Sequence, residues 1–74
     1  HGVPFTEAAT ALKDTLSVTG YDPDHSESED RFITFGVSNK DRLLIVSHTE
    51  EETIIRIISC RVAEKHESHI YEEA

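Results

Sequence analysis

Residues 54–61 read Ile54-Ile55-Arg56-Ile57-Ile58-Ser59-Cys60-Arg61. Isoleucine is β-branched, packs well on a pleated surface and loses rotamer freedom in a helix, so the run predicts a strand over Ile54–Cys60. It falls far short of the roughly 18 apolar residues of a membrane-spanning helix. Cys60 is the single cysteine of the chain, so no intrachain disulfide can form, and it reads as a small buried apolar residue. Arg56 is the anomaly. A guanidinium in an apolar strand is costly to bury unless a carboxylate or a phosphate accompanies it. Arg61 follows at the opposite strand parity and is expected at the strand end, where the chain turns into a helix.

Upstream, Arg31–Ser38 and Arg42–Thr49 have the same strand character. Short connections make the three strands an antiparallel meander. A two-residue turn at Asn39-Lys40 would pair Ile33 with Val46, Phe35 with Leu44 and Arg31 with His48. A four-residue connection, Glu50–Thr53, would pair His48 with Ile55, Val46 with Ile57 and Ser47 with Arg56. This register predicts a core face of Ile33, Phe35, Val37, Leu44, Val46, Ile55 and Ile57. The other face would be open and carry Thr34, Gly36, Ser47 and Arg56. A one-residue slip would exchange the two faces.

Toward the N-terminus, Phe5, Ala8, Ala9, Leu12 and Leu16 recur at helical spacing after Pro4, which suits a first-turn position. They predict a helix from Phe5 to Asp14 and then a short strand from Leu16 to Thr19, ended by Gly20. At the other end Ala63, His66 and Ile70 predict a second helix to about Glu73. The expected fold class is α+β: an antiparallel meander of three or four strands packed against an N-terminal and a C-terminal helix, one domain over residues 1–74. The first residue is His1, and Gly2-Val3-Pro4 reads like the middle of a connection, so a short preceding segment is expected to be missing.

A chain of 74 residues buries roughly 60% of the surface its unfolded form exposes. A homodimer or a tightly held partner would add the burial it lacks. The net charge of −8 argues against nucleic acid at first sight. Yet Asp22, Asp24, Glu27, Glu29 and Asp30 form one acidic loop and Glu50–Glu52 another, leaving seven acids against seven Lys and Arg elsewhere. Local basic surface therefore remains available. The residues given carry no signal-peptide pattern, and a reducing cytoplasm, which suits the lone cysteine, is the expected location.

For Arg56 the plain reading is a glutamate partner at a sheet surface; the functional one is an anion clamp. His25 and His48 titrate near neutral pH and are the candidate proton carriers, although each alone reads as an ordinary surface or strand-end histidine. His66 and His69 have a metal-permissive spacing but lack the further ligands a site needs. Asp22 and Asp24 lack the central glycine of an EF-hand loop. There is no phosphate-binding glycine loop, CxxC or GxSxG, and no cofactor or metal is implied.

Several separate stretches agree with one known family. His1-Gly2-Val3-Pro4-Phe5-Thr6-Glu7-Ala8-Ala9, then Asp22-Pro23-Asp24-His25-Ser26 with Glu29 to Arg31, then Arg56-Ile57-Ile58-Ser59-Cys60-Arg61, then Glu67 and Tyr71, resemble the BrnT toxins in order and spacing. The resemblance implies a RelE-like ribonuclease fold and a toxin that cleaves RNA and halts translation. It also implies a partner, the antitoxin BrnA, which binds DNA as a ribbon-helix-helix dimer, so that DNA is met only through the antitoxin. There are departures. Members usually carry a strand and helix ending in Lys before the His-Gly-Val. Glu51 replaces a typical arginine, and the last helix lacks the usual arginines. Glu64 replaces a Thr that would cap that helix jointly with Glu67, so the capping box is expected to be lost.

On this reading the ribonuclease needs no metal. A base takes the proton of an RNA 2′-hydroxyl, a cation stabilises the pentacoordinate phosphate, and an acid protonates the leaving 5′-oxygen. Arg56 and Arg61 are the candidate phosphate clamps, His25 or Glu29 the base, and His1 or His48 the acid. Arg31, Lys40, Arg42 and Lys65 are the candidate RNA-binding cations. The alternative is a toxin-like interaction module with weakened catalysis, acting through antitoxin binding and operon repression.

Overall fold

Two turns set the sheet. In the first, the Ser38 N–H donates to the Arg42 carbonyl at 2.9 Å and the Asp41 N–H to the Ser38 carbonyl at 3.0 Å, while Asp41 adopts φ 60°. The loop is thus the three residues Asn39-Lys40-Asp41, with Asp41 in the left-handed region that an aspartate tolerates. In the second, Glu51 pairs with Ile54 and Glu52 takes φ 55°, leaving a two-residue turn, Glu52-Thr53, in place of the expected four.

The computed structural model describes residues 2–25, without the His25 side chain, and 29–73. The elements are α1 (Phe5–Leu12), β1 (Val18–Tyr21), β2 (Arg31–Val37), β3 (Leu43–Glu51), β4 (Ile54–Val62) and α2 (Ser68–Glu72). Single 3-10 turns lie at Pro23–His25 and Lys65–Glu67. The strands form one antiparallel sheet in the order β1-β2-β3-β4, so the α+β expectation holds. Among the described residues no helix is long and apolar enough to cross a membrane.

The extra turn residue shifts the β2–β3 register by one from that expected. Phe32 faces His48, Thr34 faces Val46 and Gly36 faces Leu44. A shift of one turns the whole of β2 over. Ile33, Phe35 and Val37 therefore leave the predicted core for the open face, and Thr34 and Gly36 take the side covered by α1. Leu44 and Val46 stay in the core with Ala8 and Ala11, all four fully buried, and Val3, Leu12, Ile57 and Cys60 pack around them.

The β3–β4 ladder breaks between Ser47 and His48. Thr49 pairs with Arg56 and His48 with Ile57, but Ser47 pairs with Ser59, so Ile58 is the extra residue of a bulge. The bulge corrects the parity expectation for the two arginines. Arg56 lies across from Thr49 and Arg61 across from Ile45, positions of equal parity on β3, so both stand on the same open face.

α1 begins after Pro4, which takes the extended conformation of an N-cap residue, and it ends two residues before the predicted Asp14. There the Asp14 carboxylate accepts the Leu16 N–H at 3.0 Å and directs the chain out of the helix. The strand predicted from Leu16 starts at Val18 and runs through Gly20 to Tyr21. The small residues Ala8 and Ala11 let α1 lie close on the sheet, closest at Gly36, where an added Cβ would stand 2.3 Å from the Ala11 carbonyl oxygen. Glu7 locks the helix in place. Only 3% exposed, it accepts from the Ser38 hydroxyl at 2.6 Å and from Arg42 Nε at 3.0 Å. Those bonds hold its carboxyl down at about 2, the Arg42 guanidinium being the largest cause.

The C-terminal segment is a 3-10 turn followed by five α-helical residues, shorter than the predicted helix. Glu67 accepts the Glu64 N–H at 2.8 Å and the Glu64 side chain stands where the threonine would, so the capping box expected to be lost is present. α2 is tied to the body by the Tyr71 hydroxyl, which donates to Asp14 Oδ2 at 2.5 Å, the same oxygen that accepts the Val37 N–H at 2.9 Å.

Candidate functional site

The open face is ordered in cross-strand rows. Arg31, Thr49 and Arg56 form one; Ile33, Ser47 and Ser59 the next; Phe35, Ile45 and Arg61 the third. At a strand rise near 3.4 Å per residue, two rows separate the Arg56 and Arg61 backbones by about 13 Å. Between the first and third rows lies a concavity of about 360 Å³, lined by Arg31, Ile33, Ser47, Ile58, Ser59 and Arg61 among others. Its floor mixes apolar surface with the hydroxyls of two serines, and guanidinium groups stand at both ends. The Asp22 carboxylate also lines it, so an anionic ligand with an apolar component would meet the guanidinium groups in competition with that acid.

Each arginine of β4 has a carboxylate. Arg56 Nη2 donates to Glu29 Oε1 at 2.5 Å. Arg61 makes a two-pronged pair with Glu67, at 2.9 and 2.8 Å. The Arg61 guanidinium, with the Glu64 N–H, holds the Glu67 carboxyl at about 2. The plain reading of Arg56 as a surface ion pair is therefore met, with Glu29 as the glutamate. The same contact brings a candidate base against a candidate phosphate clamp. Both arginines remain at least half exposed and keep donors free of those pairs.

The other sequence-selected residues scatter. Arg31 joins the concavity. Arg42 is engaged by Glu7 on the far side of the molecule from that face, and Lys40 is exposed in the adjoining turn. Lys65 is exposed at the foot of the C-terminal turn. His1 and the side chain of His25 lie outside the described residues.

His48 sits on the α1-covered face, opposite in parity to Thr49 and so turned away from Arg56. It is 1% exposed; Nε2 lies 2.7 Å from Thr34 Oγ1, which in turn bonds Thr19 Oγ1 at 2.7 Å. The ring stacks on Phe32 with centroids 6.0 Å apart. Burial pushes its pKa below the ordinary value against the pull of Glu50, whose Oε2 lies 3.6 Å from Nδ1. This is the environment of a neutral core imidazole rather than of an acid serving the open face.

Residues that spacing did not flag prove central to the architecture: Glu7, Asp14, Ser38 and Tyr71 hold α1 and α2 on the sheet. Glu7 and Tyr71 lay within the quoted resemblance, but no local pattern announced partners 35 and 57 residues away. Cys60 is half-buried and burial pushes its thiol up, so it stays protonated. Among the described residues no three His, Cys, Asp or Glu side chains converge to hold a metal ion.

No curated protein matches the chain. The family model described as the ribonuclease toxin BrnT of type II toxin–antitoxin systems matches residues 1–67, a span that takes in α1, the whole sheet and Glu67.

Proposed function

The chain belongs to the family of BrnT ribonuclease toxins of type II toxin–antitoxin systems, and from that premise we propose that it cleaves RNA on the open face of its sheet without a metal ion. The target is cytoplasmic RNA and the consequence is arrest of translation. A ribbon-helix-helix antitoxin of the BrnA kind holds it inactive and carries the pair to DNA. The observation that supports this reading best is the bulge at Ile58, which turns Arg56 and Arg61 to one face, Arg61 on the lining of a serine-floored concavity and Arg56 outside it, paired with Glu29.

Arg61, with Arg31, faces the scissile phosphate across the concavity, and Arg56 holds Glu29 beside it. Glu29 takes the 2′-hydroxyl proton as that oxygen attacks the phosphorus. The guanidinium groups stabilise the added charge of the pentacoordinate phosphate. The P–O5′ bond breaks and the 5′-oxygen leaves with a proton, giving a 2′,3′-cyclic phosphate and a 5′-hydroxyl. His48 is turned to the other face, so of the two candidate acids His1 is the one left to supply that proton. The phosphate must share or displace the carboxylates on the two arginines, which sets the charge of the protein against tight RNA binding.

Those ion pairs also favour the second reading, a toxin-like module whose main act is to hold its antitoxin. Expression of the complete chain separates the two. Growth arrest that the antitoxin relieves, and that Arg56→Ala and Arg61→Ala variants with unchanged melting curves lose, is expected of the ribonuclease. Arrest by those folded variants would sink the assignment of the site, and no arrest by the wild type would favour the module.

A further inference from the structure

The two arginines of β4 are held in unlike ways. Arg56 meets Glu29 through one nitrogen only. Arg61 presents Nη1 and Nη2 together to the two oxygens of Glu67, at 2.9 and 2.8 Å. The Glu67 side chain is 18% exposed, whereas that of Arg61 is 50% exposed. The carboxylate is thus covered and the guanidinium is not. A planar fork set against a carboxylate fixes the guanidinium in orientation as well as in place.

The carboxylate is itself anchored. Its Oε1 also accepts the Glu64 N–H at 2.8 Å, and the Glu64 side chain completes the capping box of the Lys65–Glu67 turn. Ahead of the turn, the Ala63 N–H donates to the Leu43 carbonyl at 2.9 Å. Behind it, the Tyr71 hydroxyl ties α2 to Asp14, which also accepts the Val37 and Leu16 N–H groups. The turn that carries Glu67 is therefore fastened to the sheet and to the end of α1.

A guanidinium has five N–H donors. Glu67 takes one from each Nη, and the second of Nη1 is directed at the Val62 carbonyl, 3.5 Å away. The Nε–H and the second hydrogen of Nη2 remain. They lie side by side and form another fork, of the kind that fits two oxygens of a phosphate. Arg61 lines the serine-floored concavity, so a phosphate there and Glu67 can hold different edges of the same plane at once.

We propose that Glu67 is a positioning residue of the cleavage site, fixing the Arg61 guanidinium so that its second fork, Nε and Nη2, is preset for the scissile phosphate. The inference rests on the proposed ribonuclease activity and deepens it. The phosphate shares Arg61 with Glu67 and need not displace it. A donor already held in place stabilises the developing charge without reorganising.

The test is steady-state cleavage of single-stranded RNA by the complete chain, at a temperature where circular dichroism shows each variant folded. Glu67→Gln removes the charge and one arm of the fork. Its kcat is expected to fall about tenfold or more while KM stays within about twofold. In an Arg61→Ala background the same change should leave the rate unaltered, because Glu67 acts only through Arg61. Arg61→Lys keeps the charge but has no second fork, and should lose kcat as Glu67→Gln does. It carries the test alone if Glu67→Gln does not fold. A Glu67→Gln rate equal to or above wild type, as expected of a carboxylate that only competes with phosphate, would overturn the proposal. So would a loss that recurs undiminished in the Arg61→Ala background, the mark of a structural role, or an Arg61→Lys protein as fast as wild type. Those results leave the ribonuclease reading standing; a wild-type chain that does not cleave RNA removes both.

Discussion

Replacing Gly36 with alanine tests the face assignment on which the site depends. In the observed register Gly36 is buried beneath α1, and the new Cβ would lie 2.3 Å from the Ala11 carbonyl oxygen and 3.0 Å from its carbon. Ordinary contact begins at 3.4 Å, so the helix backbone must retreat by 1.1 Å, the difference between 3.4 and 2.3. The obstacle is a main-chain carbonyl, which has no rotamer with which to yield. The retreat also loosens Ala8 and Ala11 and stretches the Glu7–Arg42 lock. Forcing a methyl into a packed interior costs about 1–3 kcal/mol. The smaller entropy of the unfolded alanine chain offsets about 0.4–1 kcal/mol of that. A net loss near 1–2 kcal/mol lowers the melting temperature of a domain this size by roughly 5–15 °C. Thermal melts by far-ultraviolet circular dichroism, with urea titration at constant m, measure it. A melting temperature unchanged or raised would refute the reasoning, since a Gly36 on the open face, as the two-residue turn would place it, gains from alanine.

Removing the Thr34 hydroxyl by Thr34→Val leaves the buried His48 Nε2 without its partner and is expected to cost about 1–3 kcal/mol in urea unfolding. His48 is held below its unfolded value of 6.5, so its contribution is complete above pH 6.5 and is lost as pH falls below it; the fall in stability between pH 7 and 5 should shrink in a His48→Gln variant that still folds. Glu67, at about 2 against an ordinary 4.5, contributes stability that is present above pH 4.5 and lost toward pH 2. The gap in unfolding midpoint between wild type and Glu67→Gln should therefore close as pH is lowered through that window. Tyr71→Phe deletes the donor to Asp14 and should speed amide exchange in Ser68–Glu72 while leaving β3 protected. If Arg61 contacts one RNA phosphate, Arg61→Ala should reduce the slope of log K against log salt by about 0.7.

The strands and both helices were legible because their residues carry strong local signals: β-branched runs, turn residues and the helical spacing of Phe5, Ala8 and Leu12. What misled was a single residue. Asn39-Lys40 looks like a complete turn, but Asp41 tolerates a left-handed backbone and joins the loop, and one added residue turns β2 over. Ile33 and Phe35 are as apolar as Leu44 and Val46, so composition could not say which set was inside; Gly36 could, because only a glycine admits a helix carbonyl that close. The bulge was hidden for the same reason. Four isoleucines around Arg56 give no alternation whose break would mark Ile58. Arg56, Arg61 and Glu29 stand out in the sequence, but the contact of Arg56 with Glu29 and the common face of the two arginines do not, since the latter depends on the bulge. His48 was misjudged as a strand-end group because its neighbours Thr49 and Glu50 are polar, whereas parity puts it under α1.

Cleavage of a 5′-labelled single-stranded RNA by the complete chain in excess EDTA, compared with Arg61→Ala of equal melting temperature, tests the central claim most directly. The account predicts products ending in 2′,3′-cyclic phosphate from the wild type, and a rate at least a hundredfold lower, on the order of what one lost transition-state donor costs, from the variant. Equal rates from the two proteins, or cleavage by the wild type only when a divalent metal is restored, would contradict it.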